Sequence, residues 1–244
     1  MISILCPSRG RPIFAKRMVG SLQSSSSKKH AIEIKFYLNE DDPELESYKK
    51  NLDPDYLTIG PNRSTAYSWN KLAEECSGDI MMLAGDDIQF TTKNWDLEVI
   101  KIFDMYKDKI CMVIPNDGRG LKKNHGDRYA GITEPVWIPD EPCPAPHFFV
   151  HKKWMEVLGY FAPPFFWHFY VDTYTQKVSR KLNRCVLLPH VEIKAKKLFD
   201  DTAKIVRDNL RIAERDDWIW TKVRERHCDA DVKVLQDYID SYKE

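Results

Sequence analysis

The chain has 244 residues, enough to bury one large core or an α/β domain with an appended helical part, and the second is the expectation. Its 37 Lys and Arg balance 37 Asp and Glu, so no global field draws it to nucleic acid or to an anionic membrane, and any basic footprint must be local. Six widely spaced cysteines without a C-x-x-C pair argue against a disulfide framework and suit reduced thiols in a cytoplasmic protein, and no apolar run approaches membrane-spanning length.

Ile2 to Cys6 is a β-branched and apolar run that reads as a first strand, which leaves no room for a signal peptide ahead of it. Pro7, Ser8, Arg9, Gly10, Arg11 and Pro12 then form a breaker-rich loop, and Phe14, Met18, Val19 and Leu22 follow at helical spacing. Arg9 and Arg11, beside the free amides of a helix start, either seat a phosphate or the edge of a base, or stand as two solvated cations in a tight loop.

Ile32 to Leu38 reads as a second strand, ending in Asn39-Glu40-Asp41-Asp42-Pro43. A carboxylate there can accept hydrogen bonds from a nucleobase or ribose, although acidic loops closed by proline are common without such a role. Leu57 to Ile59 makes a short third strand, and Gly60-Pro61-Asn62-Arg63-Ser64 leads into a helix with Ala66, Trp69, Ala73 and Cys76 on one face, capped by Asn62 or Ser64.

Ile80 to Ala84 reads as a strand buried on both faces, followed at once by Gly85, Asp86 and Asp87. The pair either closes the strand as a polar turn or sits beyond the carboxyl end of a parallel strand, where it can hold a divalent cation and, through it, a phosphorylated substrate. The alternation of strands and helices up to Leu83 predicts a doubly wound, mostly parallel sheet that gathers these loops at one edge. No G-x-G-x-x-G follows the first strand and no P-loop motif occurs, which disfavours a dinucleotide fold and a P-loop.

Trp95, Val99, Ile102, Phe103 and Tyr106 predict an amphipathic helix, and Ile110 to Ile114 another buried strand. From Asn116 to Pro146, glycines, five prolines and the local cations Lys122, Lys123, His125 and Arg128 predict a long lid or binding loop. His147 to His151 reads as a strand and Lys152 to Leu158 as a helix that Gly159 stops.

The aromatic run Phe165 to Tyr170 leads into a helix with the stripe Val171, Tyr174, Val178 and Leu182, which leaves Asp172 off the stripe. Asp172 either faces the cleft or simply favours a helix N-terminus. Cys185 to Leu188 is a further strand, closed by Pro189-His190, and Asp201 to Val223 and Asp229 to Tyr242 read as helices.

In this order the motifs resemble the GT-A nucleotide-sugar glycosyltransferases, in particular the family 2-like group that includes versions encoded by bacteriophages. ISILCPSRGRP is similar to their first strand and nucleotide-binding loop, LAGDDI to the strand carrying their D-x-D metal motif, and His147 to Gly159 to their acceptor-side strand and helix. The resemblance spans residues 1 to 200. It implies an α/β, Rossmann-like GT-A fold with a mostly parallel central sheet flanked by helices. Residues 1–115 would form the nucleotide-sugar half, 116–200 the acceptor-side half, and 201–244 a C-terminal helical extension outside the match.

It further implies a transferase moving a sugar from a nucleoside diphosphate sugar, UDP-linked by preference, to a hydroxyl acceptor, a modified base in DNA among the acceptors it allows. Pro7, Ser8, Arg9, Arg11, Asn39, Asp41, Asp42, Asn62, Arg63 and Asp86 would bind the donor. Asp87 and His190 would hold Mn²⁺ or Mg²⁺, Asp172 would be the base of an inverting reaction, and Trp167, His168 and Tyr170 would meet the acceptor. Two departures stand out: Gly85-Asp86-Asp87 replaces a full D-x-D, and Val171 stands where the family places a Glu before the base. A sugar-phosphate nucleotidyltransferase and a non-enzymatic nucleic-acid-binding module are the alternative readings.

Overall fold

The computed structural model describes residues 1–118, 126–138, 145–195, 204 and 209–242. Its centre is one sheet whose strands run in the order β3-β2-β1-β4-β8-β6-β9-β5: β1 (Ile2–Ser8), β2 (Ile32–Asn39), β3 (Leu57–Gly60), β4 (Ile80–Leu83), β5 (Ile88–Phe90), β6 (Met112–Asn116), β8 (Phe148–His151) and β9 (Cys185–Ala195). The two-residue strand β7 (Val136–Trp137) pairs on β9. Strands β1 to β4 are parallel, as their helical crossovers require. β8 then enters antiparallel to both β4 and β6, so the sheet is mixed rather than parallel throughout.

Strand β1 shows why the first half reads as buried on both sides. Ile2, Ile4 and Cys6 pack into one core with helices α1 (Pro12–Ser25) and α4 (Trp95–Asp104), while Leu5 packs into the other with α3 (Thr65–Glu75). β4 alternates likewise, Ile80 and Met82 against Met81 and Leu83. The second core continues through α5 (Lys152–Leu158), α6 (Val171–Lys181), α7 (Leu210–Lys222) and α8 (Arg224–Asp240). Gly159 ends α5 with φ of 81°, a left-handed position that glycine adopts without steric cost.

Four elements were not anticipated: the helix α2 (Leu45–Asn51), a 3-10 turn at Pro54–Tyr56, the strand β5 and the strand β7. Among the described residues no helix is long and apolar enough to cross a membrane. Five cysteines are described, and none forms a disulfide. The cations Lys122, Lys123 and His125 of the basic loop, and most of the predicted helix between Asp201 and Asn209, lie outside the described residues.

Candidate functional site

The parallel half of the sheet delivers its strand ends to one edge. There Ser8, the last residue of β1, donates its hydroxyl to Asp86 Oδ2 at 2.7 Å, and Arg11 Nη1 lies 3.1 Å from Asp86 Oδ1. Asp86 is almost fully buried. Burial pushes its carboxyl up to about 6 despite the opposing pull of Arg11 and Ser8, so desolvation outweighs the ion pair. Tyr48 of α2 completes the knot: its hydroxyl meets Ser8 Oγ at 2.6 Å and accepts the Arg11 backbone N–H at 2.8 Å.

Around this knot sits a second set of the predicted donor residues. Arg9 pairs with Asp41 at 2.5 Å and reaches Asn39 Oδ1 at 3.4 Å, and Asn62 Nδ2 donates to the other Asp41 oxygen at 3.2 Å. The Arg9 guanidinium holds the Asp41 carboxyl below its usual range. Asp42 accepts the Gly10 N–H at 2.9 Å and so fixes the loop itself. Pro7 lies within β1 opposite Tyr37, and Arg63 lies over the Tyr67 ring at 5.3 Å. Arg9, Arg11, Asn39, Asp41, Asp42, Asn62 and Asp86 are thus brought together, with Arg63 beside them in sequence but stacked on α3.

Asp87 is half-buried in the turn between β4 and β5, its backbone carbonyl 3.3 Å from Arg17 Nη2. The β4–β8 register sets Leu83 opposite Phe148, which brings His147 alongside Ala84 and Gly85. A methyl group on Gly85 would lie 3.0 Å from Asp87 Oδ1 and 3.2 Å from His147 Cε1, so the glycine keeps open a cradle between carboxylate and imidazole. His147 is buried, and its Nδ1 has no hydrogen-bond partner. Burial lowers its pKa and keeps the ring neutral, against the charges of Asp87, Asp117 and Asp172, which all act to raise it.

Asp117 follows β6 directly, and Asp172 occupies the first turn of α6. Burial raises the Asp172 carboxyl above its ordinary value, against hydrogen bonds from Thr173. Four side chains, from the β4–β5 turn, the residue after β6, the residue before β8 and the first turn of α6, therefore share one electrostatic neighbourhood. Among the described residues no three His, Cys, Asp or Glu side chains converge closely enough to hold a metal ion unaided. Asp87 and His147, with an orphaned buried nitrogen and an open cradle, do fit a divalent cation completed by phosphate oxygens and water.

His190 is elsewhere. Its Nε2 lies 3.4 Å from Glu98 on α4, and it sits at a β9 irregularity where Asn116 Nδ2 donates to the Pro189 carbonyl. Ile88, the residue after Asp87, pairs with Ala195, and His190 lies five residues from Ala195 along β9, within the register shift between Leu188 and Glu192. The structure thus does not bring the two residues expected to share a metal together.

Of the three aromatic acceptor candidates, Trp167 is exposed and lines a cleft with Arg63, Tyr67, Asn70, Glu74 and Tyr160. His168 Nδ1 is held by Thr65 Oγ1 at 2.8 Å. Tyr170 donates to Asp217 at 2.9 Å and stacks on Trp220 with ring centroids 4.9 Å apart, so it faces α7. His147, Asp117 and Tyr48 were not singled out from sequence. His147 had one legible signal, its place immediately before the Phe148-Phe149-Val150 run, but its meaning depends on that strand running antiparallel.

Solved structures carry the same arrangement of elements. A mannosyltransferase from Pyrobaculum calidifontis, in complex with GDP-Man and Mn²⁺, superposes with a TM-score of 0.62 at 13% identity, covering 97% of this chain and 74% of that one. S. aureus TarS 1–349 matches in complex with UDP (TM-score 0.53, 13% identity, 96% and 70% covered) and with UDP-GlcNAc (0.54, 12%, 99% and 73%). The chain has the GT-A fold. No protein-family model matches it, and no curated protein does. The structural neighbours are GT-A-like glycosyltransferases that bind UDP- or GDP-linked sugars, one of them with Mn²⁺.

Proposed function

We propose that this protein is a divalent-metal-dependent glycosyltransferase that moves a sugar from a nucleoside diphosphate sugar to a hydroxyl acceptor with inversion. The observation that carries the reading is the convergence at one sheet edge of the Asp86 knot, Asp87 and Asp172. Nucleotide sugars in the neighbouring structures support the donor class, and Mn²⁺ in one of them supports the metal. UDP is the preferred nucleotide, residues 1–200 are the transferase unit, and helices α7 and α8 brace it.

Arg9, Asn39, Asp41 and Asn62 form the end of the site that reads base and ribose, their hydrogen-bonding groups pre-paired and ready to exchange partners. Asp86 holds the basic loop in shape from inside, and Arg11 is left beside the diphosphate path. Asp87 would hold the cation, which when bound neutralises charge developing on the departing diphosphate. Asp172, with a carboxyl raised by burial, is a stronger base than an exposed aspartate. It takes the proton of the acceptor hydroxyl as that oxygen bonds to the anomeric carbon, while the sugar–phosphate C–O bond breaks and its electron pair leaves on the diphosphate. Trp167, exposed five residues earlier, offers the acceptor an apolar face.

A panel of nucleotide sugars with Mn²⁺, read by melting temperature and by released nucleoside diphosphate, tests this directly. A donor held at about 100 times its Kd adds about 2.7 kcal/mol to stability and raises the melting temperature by several degrees. Release of pyrophosphate instead would point to a nucleotidyltransferase. No response to any donor would end the glycosyltransferase reading.

A further inference from the structure

We propose that the cleft between α3 and the loop leading from α5 to α6 is a length-selecting acceptor subsite. On the transferase reading, it seats the inner sugar units of an uncharged oligosaccharide whose terminal unit reaches Asp172.

The cleft has a volume of about 410 Å³, in the range of small-ligand sites. Tyr67, Asn70 and Glu74 recur at helical spacing, so the wall they form follows α3 for roughly 15 Å from the Ser64 cap, at 1.5 Å per residue. One sugar ring does not span it. The walls are tied together before any ligand arrives: Asn70 accepts the N–H groups of Phe161, at 2.8 Å, and Ala162, at 2.9 Å, and donates to the Ala162 carbonyl at 2.7 Å. Opposite, the Tyr160 hydroxyl donates to Asp231 of α8. Gly159 lines the same wall, and beyond its chain neighbours no heavy atom comes within 4 Å of where its side chain would stand, so the space there is open.

The lining selects the class of ligand. Two of its rings, Trp167 and Tyr67, remain 39% and 37% exposed. Arg63 lies over the Tyr67 ring at 5.3 Å, and Glu74 is met by Lys71 at 3.5 Å. Among the described lining residues one cation and one anion balance, which does not suit a nucleic-acid strand, whose backbone needs a track of cations. Nor is there the unbroken apolar stripe that a partner helix would bury. A pyranose ring has an apolar C–H face and a rim of hydroxyls, and it matches aromatic faces set among polar edges.

One end of the cleft adjoins the transfer centre. Arg63 follows Asn62, which donates to Asp41 among the donor-binding residues, and the Trp167 carbonyl accepts the Thr65 N–H at 2.9 Å, which fixes the loop to the first turn of α3. Asp172 stands five residues beyond Trp167. A chain lying from Glu74 to Trp167 thus points its end at the donor.

An array of neutral and acidic oligosaccharides of one to six units, probed with the full chain without donor, tests this apart from turnover. Neutral chains of three or more units are expected to bind at least about tenfold more tightly than the single sugar of the same kind. Trp167→Ala and Tyr67→Ala should each lose that gain, and Trp218→Ala, exposed on α7 outside the cleft, should keep it. Melting curves check that each variant is folded, and if one of the cleft variants is not, the other carries the comparison.

No retained neutral oligosaccharide, equal affinity for one unit and for six, or a length gain that survives both cleft variants overturns the proposal. So does tighter binding of acidic glycans or of a single-stranded oligonucleotide at the same salt. The parent reading fails separately. Length-dependent binding with no thermal shift and no transfer from any nucleotide sugar would leave a carbohydrate-binding cleft and remove the transferase, while transfer without any dependence on acceptor length would do the reverse.

Discussion

Asp216 Oδ2 and the backbone N–H of His168 lie 2.8 Å apart, which ties helix α7 to the loop that leads into α6. The same carboxylate accepts the N–H groups of Trp167, at 2.8 Å, and Phe169, at 2.9 Å, and it is fully buried. Asp231 on α8 repeats the device by accepting the Tyr174 hydroxyl at 2.6 Å and that of Tyr160. The C-terminal helices therefore set the position of the turn that carries Asp172. Replacing Asp216 with alanine strands three donors in the interior and is expected to cost at least about 3 kcal/mol. Chemical denaturation measures this, and a loss under 1 kcal/mol would mean the loop holds itself.

Asp172→Asn keeps the shape of the side chain and removes the base. The expected fall in kcat is about 10²- to 10⁴-fold, with donor affinity kept, since only the proton acceptor is lost. Asp87→Ala is expected instead to abolish the Mn²⁺-dependent thermal shift. Full transfer activity in both variants would rule out these assignments.

Arg9 and Asp41 are both solvent-accessible, with side chains 27% and 54% exposed, so their ion pair contributes little to folding. Arg9→Ala should leave the melting temperature within about two degrees of wild type, the equivalent of under 1 kcal/mol. If Arg9 reads the nucleotide, KM for the donor rises about tenfold while kcat stays near its original value. A change confined to kcat would place Arg9 outside the donor site.

Asp86 gives a pH dependence whose sign follows from its raised carboxyl. The unfolded chain loses this proton near pH 4 and the folded chain near 6. The stability carried by the protonated form is thus complete below about pH 4 and lost as pH rises through 6. Asp86→Asn does not titrate, so in the metal-free protein its stability relative to wild type should improve by up to about 3 kcal/mol between pH 4 and pH 7.5. Parallel denaturation curves across that range would show that the carboxyl is not desolvated as described.

Gly85→Ala introduces a methyl into the cradle between Asp87 and His147. Its backbone does not require glycine's left-handed region, so the fold should tolerate the change. Weaker Mn²⁺ binding, measured by calorimetry in the presence of UDP, with a melting temperature close to wild type is the expected pair of results. Unchanged Mn²⁺ affinity would argue that the ion sits away from this gap.

The buried strands β1, β4 and β6 and the acidic ends of β2 and β4 were legible because parallel strands covered on both faces read as unbroken apolar runs. Gly159 and the Val171, Tyr174, Val178, Leu182 stripe were legible for equally local reasons. What escaped was set by direction and by distant partners. The run at Phe148 looks alike whichever way it points, and only the antiparallel register gives His147 its neighbours. Tyr48 lies in a seven-residue helix too short to show a period, and its hydroxyl serves residues 37 and 40 positions away. For His190, motif order gives a place along the chain, and only the tertiary structure shows that it packs beside Glu98 of α4.

The reversed strand β8 also has a consequence for how this protein can change. Since β6 and β8 run in opposite directions side by side, the chain departs after Asp117 and returns at His147 on the same edge. Among the described residues between them, only Val136 and Trp137 belong to a strand. If the proposed transferase reading holds, orthologues with different acceptors should diverge in sequence first between residues 118 and 146, while the strand residues stay alike.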